Sequence, residues 1–271
     1  MANEIFGFIG CGNMGGALAT ALSRVVGGEH LLLANRTPEK ARALAEALGA
    51  RACDNARAAA ESDFLFLGVK PVMMADMLAG IRDALASRKA PCVLVTMAAG
   101  LTIARIREMA GVDFPIIRIN PNTPSAVGKG LVMYCAEGLD NDDSRMVCFK
   151  MAMAGAGLLD AVEGRLMDAG SAVAGCGPAF AALMIEALAD GGVACGLPRA
   201  KAQMYAAQMM LGTAALALET GRHPGQLKDA VCSPGGTTIQ GVRALEAGGF
   251  RSAAFEAVIA AYEKTLELGR R

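Results

Sequence analysis

The chain is 271 residues long, carries 26 basic and 26 acidic side chains, and is 54% apolar with 4% aromatic residues and no tryptophan. A chain of this length buries a large core and fits two domains better than one. A formal charge of zero gives no ground for expecting nucleic acid or an anionic membrane as a partner.

The start, MANEIFGF, carries Glu4 and has no basic region before its apolar residues, so it does not read as a secretory signal. Strand-like apolar runs follow at Ile5–Ile9, Leu31–Ala34, Phe64–Val69, Cys92–Thr96, Ile116–Ile119 and Leu131–Cys135, with a final one at Leu158–Val162. Helix-like segments lie between them at Met14–Val26, Pro38–Leu48, Val72–Ala86 and Thr102–Met109. Thr37-Pro38-Glu39 is a helix start, with a capping hydroxyl, proline at the first position and an early acid. This alternation predicts an α/β domain with a mostly parallel sheet covered on both faces.

Near Glu163 the character changes. Pro178–Gly192, Pro198–Thr220 and Arg251–Leu268 read as long helices, separated by Gly and Pro at Gly196-Leu197-Pro198 and His223-Pro224-Gly225, and no alternating pattern remains. The expected division is residues 1–163 as the α/β domain and 164–271 as an all-helical one. Uncharged runs such as Ala202–Leu218 stop short of a membrane span, so the expectation is a soluble, cytoplasmic protein. The eight cysteines (Cys11, Cys53, Cys92, Cys135, Cys148, Cys176, Cys195 and Cys232) form no CxxC pair and have only His30 and His223 to help them. They predict neither a metal site nor a disulfide framework, and most read as buried free thiols.

The first chemistry-bearing motif is Gly10-Cys11-Gly12-Asn13-Met14-Gly15, placed after a strand and opening an alanine-rich helix. In that context Gly10 permits the tight turn, Gly12 lets a pyrophosphate reach the backbone, and Gly15 permits close helix–strand packing. This is the dinucleotide-binding fingerprint of a Rossmann-like, doubly wound sheet; a merely structural glycine turn is the rival. The second strand ends at Asn35-Arg36-Thr37, where an NAD site would carry an acid on the ribose diol. A neutral residue followed by Arg36 instead favours the 2′-phosphate of NADP, with Lys40 one turn on able to add charge. Gly68-Val69-Lys70-Pro71 and Met97-Ala98-Ala99-Gly100 follow strands at the crevice rim, where Lys70 is either a cofactor contact or a surface cation. Asn55 is placed either to cap the short Ala56–Glu61 helix or to meet the adenosine side of the cofactor. Asn120-Pro121-Asn122-Thr123-Pro124 reads as a rigid extended loop at the nicotinamide end, with a structural turn as rival. Far along the chain, Ser233-Pro234-Gly235-Gly236-Thr237-Thr238 leaves glycine amides unshielded ahead of a helix-like run from Ile239, a combination that suits a carboxylate or phosphate, with an ordinary Gly-Gly turn as an equal rival on this segment alone.

Taken together, FIGCGNMGGAL, GVKP, RINPNTP, GCGPAF followed by IEALADGGVACGLPR, and HPGQLKDAVCSPGGTTIQGVRALE resemble the pyrroline-5-carboxylate reductase family from Ile5 to Leu268. The resemblance implies reduction of 1-pyrroline-5-carboxylate to L-proline, the last step of proline synthesis, with NADPH or NADH. It implies a homodimer interlocked through the helical domains, in some members a larger ring. It places cofactor contacts on Ile9, Gly10, Cys11, Gly12, Asn13 and Met14, on Asn35, Arg36 and Thr37, on Asn55, on Gly68, Val69, Lys70 and Pro71, and on Met97, Ala98 and Ala99. Substrate contacts fall on Ser233, Gly235, Gly236, Thr237 and Thr238. The chain departs from relatives at Asn120, where Met is common, at Ala230, where some carry Asn, and in an acidic run reduced to Glu163 with Asp168 further on.

The residues agree with imine reduction. No His–acid pair suited to alcohol oxidation is apparent, and no lysine lies between Lys150 and Lys201, where related hydroxyacid dehydrogenases need one. A protonated imine needs a hydride donor, a carboxylate anchor and a hydrogen bond to nitrogen. Glycine amides near Gly235–Thr237 are the expected anchor and the Thr238 hydroxyl the expected nitrogen partner. Another imine or hydroxyacid reductase on the same architecture, and a non-catalytic dinucleotide sensor, are the competing readings.

Overall fold

A computed structural model describes residues 4–269; the outermost residues of the two expected domains, 1–3 and 270–271, lie outside the described residues. The chain forms two compact units, one made of residues up to Gly175 together with those from Ala261 onward, the other of Cys176–Ala260. Strands give way to helices near Glu163, as the composition indicates, yet the segment from Gly164 to Gly175 packs with the first unit.

The first unit runs β1 (Phe6–Ile9), α1 (Asn13–Val26), β2 (Leu31–Ala34), α2 (Pro38–Leu48), β3 (Arg51–Ala52), α3 (Asn55–Glu61), β4 (Phe64–Leu67), α4 (Met74–Ala86), β5 (Val93–Thr96) and α5 (Ile103–Ala110). It continues with β6 (Ile116–Pro121), β7 (Gly130–Glu137), α6 (Ser144–Met153), β8 (Gly157–Ala161) and α7 (Met167–Gly170). The eight strands make one sheet in the order β3-β2-β1-β4-β5-β6-β7-β8, parallel at every step except β6 against β7. This is a Rossmann-like doubly wound sheet whose order reverses between β1 and β4, the switch point where ligands of such sheets bind.

Side chains alternate across the pleat, so each strand feeds two cores. Phe6 and Phe8 of β1 stack on Phe64 and Phe66 of β4, with centroids 5.1 and 4.5 Å apart, on the face covered by α1 and α6. Ile9, Leu65 and Leu67 point to the opposite face, under α3, α4 and α5. Gly7 faces Ser62, whose Oγ lies 2.0 Å from where a Cβ would stand. All these strand residues are essentially fully buried, which explains why they read as unbroken apolar runs.

Some local expectations need correction. Thr37 stands at the start of α2, but its hydroxyl makes no capping hydrogen bond. The cap of α3 is Asp54, whose Oδ1 accepts from Arg57 N at 2.7 Å, so Asn55 is the first helical residue and not the cap. Asn120 and Pro121 extend β6 opposite Met133 and Val132, and Thr123–Val127 forms a 3-10 turn, so this stretch is not an extended loop. Both polar atoms of Asn122 are engaged: Oδ1 accepts from Leu131 N at 3.0 Å and Nδ2 donates to Ala174 O at 3.1 Å. All eight cysteines are free thiols, but only Cys11, Cys92 and Cys148 are buried and Cys195 is exposed.

The second unit contains α8 (Gly177–Ala194), α9 (Arg199–Thr220), α10 (Pro224–Ala230), α11 (Thr237–Ala247) and the start of α12 (Phe250–Gly269). The Pro-Gly pair expected only to punctuate begins α10, with His223 Nδ1 accepting from Gly225 N at 3.1 Å. Its buried cluster is Ala189, Ala202 and Ala206, while Leu183, Met204, Leu211, Leu218 and Phe255 are about half exposed or more. Among the described residues nothing covers the apolar face of these helices. By length and composition alone the stretch Gly164–Ala194 is apolar enough to cross a membrane, although only 11% of its most apolar window is buried. Two of its three acids are engaged: Asp168 with Arg118 and Asp190 with Arg199, which opens α9.

Arg118 is the charged residue buried among the strands. It sits on β6 between Thr96 and Cys135, and its Nη2 donates to Asp168 Oδ1 at 2.7 Å. The arginine side chain is 9% exposed and the aspartate 28%. Asp168→Ala is predicted to strand that guanidinium and cost about 2–4 kcal/mol, a little under the full penalty for a wholly buried pair. Thermal unfolding at fixed protomer concentration reads this, and Arg118→Met combined with Asp168→Leu should recover most of the loss. An unchanged midpoint in Asp168→Ala would show that the pair holds nothing.

Candidate active site

The site begins where β1 ends. Gly10 has φ +103°, and a Cβ there would lie 2.6 Å from the carbonyl of Gly68, beyond β4. A Cβ on Gly15 would lie 2.1 Å from Gly10 O, so α1 can approach the end of β1 this closely only with glycine at position 15. Gly12 differs: nothing stands within 4 Å of its missing Cβ. It opens α1 with no side-chain cap and no acid in the first turn. The result is an unobstructed backbone hollow at the positive end of a 14-residue helix, at the switch point of the sheet. A dinucleotide pyrophosphate fits this hollow, since a side chain at Gly12 would fill it.

Cys11 is spoken for within the protein. Its amide donates to Asn35 Oδ1 at 3.1 Å and its thiol to Ala34 O at 3.5 Å. Burial first, and the neighbouring Cys53 second, push its thiol up to about 12, so it is neutral at physiological pH. The open donors of the loop therefore start at Gly12.

Next to this loop a cleft of about 560 Å³ has Asn35, Arg36, Arg42, Cys53, Asp54 and Asn55 among its walls. Asn35 Nδ2 also donates to Thr37 O at 3.1 Å, so this one side chain fixes the turn after β2 and the glycine loop together. Arg36 reaches across toward Met73, with Nη1 3.9 Å from its sulfur, and makes no ion pair among the described residues. Lys70 is exposed just before the 3-10 turn Pro71–Met73. Beyond β5, Met97 is half-buried, Ala98 buried and Ala99 exposed, with Ala98 N donating to Thr96 Oγ1 at 3.4 Å. Of the sequence-derived candidates, then, Ile9–Met14, Asn35–Thr37, Asn55, Gly68–Pro71 and Met97–Ala99 all lie in the first unit along the ends of β1, β2, β4 and β5 or beside the cleft. Arg42 went unnoticed in the sequence because nothing there distinguishes one exposed helical arginine from another.

In the second unit, Ser233–Gly236 forms a tight turn that opens α11 at Thr237. Gly235 holds the left-handed conformation, φ +70°. Gly236 does not, and its amide is not free: it donates to Ser233 O at 3.0 Å, while a Cβ on it would lie 2.3 Å from Ser233 Oγ. The Gly236 amide is therefore not free for an anion, while the first turn of α11 presents Thr237 and Thr238 with neither a side-chain cap nor an acid.

Residues 164–268 match the family model described as pyrroline-5-carboxylate reductase dimerisation, and residues 5–100 one described as NADP oxidoreductase coenzyme F420-dependent. The chain is 47% identical over 218 residues to a pyrroline-5-carboxylate reductase of Synechocystis sp., covering 80% of this chain and 79% of that one. It is 38% identical to the Escherichia coli enzyme of the same name over 97% and 98% of the two chains. A crystal structure of a Plasmodium falciparum pyrroline carboxylate reductase with NADP bound superposes with a TM-score of 0.87 at 30% identity, covering 99% of each chain. With the dimerisation model matched over residues 164–268 and relatives of matching length at 38–47% identity, the chain belongs to the pyrroline-5-carboxylate reductase family.

Proposed function

We infer that this protein reduces 1-pyrroline-5-carboxylate to L-proline as an NAD(P)H-dependent oxidoreductase acting on a C=N bond, the final step of proline synthesis. Beyond family membership, one structural observation carries the reading: a glycine turn presents an uncapped helix start at Thr237-Thr238, in a chain that also carries an open dinucleotide hollow at Gly12. With Gly10 shaping the turn, Gly12, Asn13 and Met14 would cradle the pyrophosphate, Asn35–Thr37 and Asn55 the adenosine ribose, and Gly68–Pro71 with Met97–Ala99 the remaining length. The nicotinamide, when bound, supplies the hydride. The Thr237 and Thr238 amides, with Ser233 and Gly235 shaping the turn, hold the substrate carboxylate. The Thr238 hydroxyl hydrogen-bonds the ring nitrogen and keeps the C=N carbon in place as hydride adds to it. The acceleration comes mainly from positioning.

The uncovered apolar helices of the second unit support self-association, in keeping with the dimerisation model that spans them. We read the assembly as a homodimer, with a larger ring as a further level in some relatives, and the setting as cytoplasmic. Turnover of pyrroline-5-carboxylate against a panel of short hydroxyacids, with NADPH and then NADH, tests the reaction itself. Cofactor binding without turnover of any of them would return the protein to the class of dinucleotide sensors.

Three variants test the assignments. Gly12→Ala should leave the thermal midpoint nearly unchanged, since its Cβ meets no protein atom, yet weaken NADPH binding at least tenfold by occupying the hollow. Arg36→Ala should raise the NADPH Michaelis constant about tenfold or more and leave NADH nearly untouched, the scale of one charge-assisted contact. Equal losses with both cofactors would remove Arg36 from the 2′-phosphate. Thr238→Ala should lower kcat/KM for pyrroline-5-carboxylate roughly ten- to a hundredfold while NADPH affinity, read by fluorescence without substrate, stays within about twofold. Loss of cofactor binding with normal substrate constants would reverse the roles of the two loops.

A further inference from the structure

We propose that Arg42 is a second cation selecting the 2′-phosphate of the cofactor, and that Lys40, the nearer candidate by sequence, is not. The proposal rests on the dinucleotide reading above and adds a specificity-determining residue to it. Helical geometry separates the two side chains. At about 100° per residue, Pro38, Ala41 and Arg42 share one face of α2, whereas Lys40 lies about 200° from Arg42. Pro38, Ala41 and Arg42 indeed line the cleft beside the glycine loop, and Lys40 is exposed outside it.

Charge within the cleft favours a phosphate monoester. Its lining residues include two arginines, Arg36 and Arg42, and one acid, Asp54. The Oδ1 of Asp54 already accepts from Arg57 N at the start of α3. Arg36 makes no ion pair among the described residues. Arg42 has only Glu39, at 3.8 Å with both side chains about 70% exposed, a contact that water and salt screen and that a better anion displaces. Two guanidinium groups lining one cleft suit a dianion, which each can meet with paired N–H donors. The pyrophosphate, by contrast, is served at Gly12 by uncharged backbone amides. The cleft is thus the part of the site where charge distinguishes one dinucleotide from the other.

The test uses fragments and needs no turnover. Calorimetric titration of the full protein with adenosine 2′,5′-bisphosphate and with AMP isolates the 2′-phosphate. Arg42→Ala should bind the bisphosphate roughly three- to tenfold more weakly, bind AMP within twofold of the parent, and show a shallower salt dependence. Arg42→Lys should recover part of the loss, and Lys40→Ala should match the parent. If Arg36→Ala weakens the bisphosphate and Arg42→Ala does not, Arg42 has no part in selection and the NADPH reading survives without it. Equal losses in Lys40→Ala and Arg42→Ala would mean a general surface field and overturn the proposal. Weaker AMP binding in Arg42→Ala would place the arginine on the adenosine and overturn it too. A parent protein that binds both fragments equally would sink the 2′-phosphate reading and this proposal together.

Discussion

Three backbone segments converge on Gly10 with no room for a side chain among them. β1 ends there, the turn after β4 comes within 2.6 Å of its absent Cβ, and the first turn of α1 packs against its carbonyl. A methyl group on Gly15 would prise the helix from the sheet, and one on Gly10 or on Gly68 would push the end of β1 and the turn after β4 apart, the Gly68 Cβ lying 2.5 Å from Gly10 O. The stacked phenylalanines beneath the crossing fix β1 and β4 in register, and so fix where the crossing falls. The hollow above Gly12 exists because everything around it is held this closely. Cofactor geometry here is a property of the core as much as of the loop.

The two units solve burial in different ways. The first encloses its strands between helical layers, and its one deeply placed charge, Arg118, is matched by Asp168 from the segment that follows the last strand. The second buries little more than a line of alanines where α8 and α9 meet, and leaves large apolar side chains facing outward. Small residues allow the two helices to come close, but a helix pair has only one such inner face. The rest of the apolar surface is consistent with a partner of the same kind, which also accounts for a hydropathy that rivals a membrane span.

Much of this was legible in the sequence because it depended on steric necessity. The glycine spacing, the bounds of α2 and the strand runs buried on both faces all correspond to features that few other residues satisfy. What escaped notice depended on context. β3 is two exposed residues with no apolar signal, and exists because β2 offers an edge. α6 is apolar on nearly every side, with Val147 and Met151 exposed and Phe149 buried, so it lacks an amphipathic stripe to read. Asp54 and Asn55 are both good caps, and only the fold decides that the first does the capping. Pro224-Gly225 looks like a break until His223 is seen to cap a helix that begins there. Arg118 and Asp168 are fifty positions apart, beyond the reach of any local pattern. In the Ser233–Thr238 turn the sequence showed two adjacent glycines, but not that one is required for its dihedral angle and the other for the space beside Ser233.

Asn35 links the glycine loop and the turn after β2 through a single amide. Its oxygen receives the Cys11 N–H and its nitrogen donates to the Thr37 carbonyl, so it needs an acceptor and a donor at once. An aspartate, the residue that NAD-binding sheets commonly place near this point, supplies the first and not the second. It would also bring a negative charge beside the glycine loop. The evolutionary route to a different cofactor is therefore not a single step at this residue. A lineage that placed an acid here would have to rebuild the turn after β2 as well.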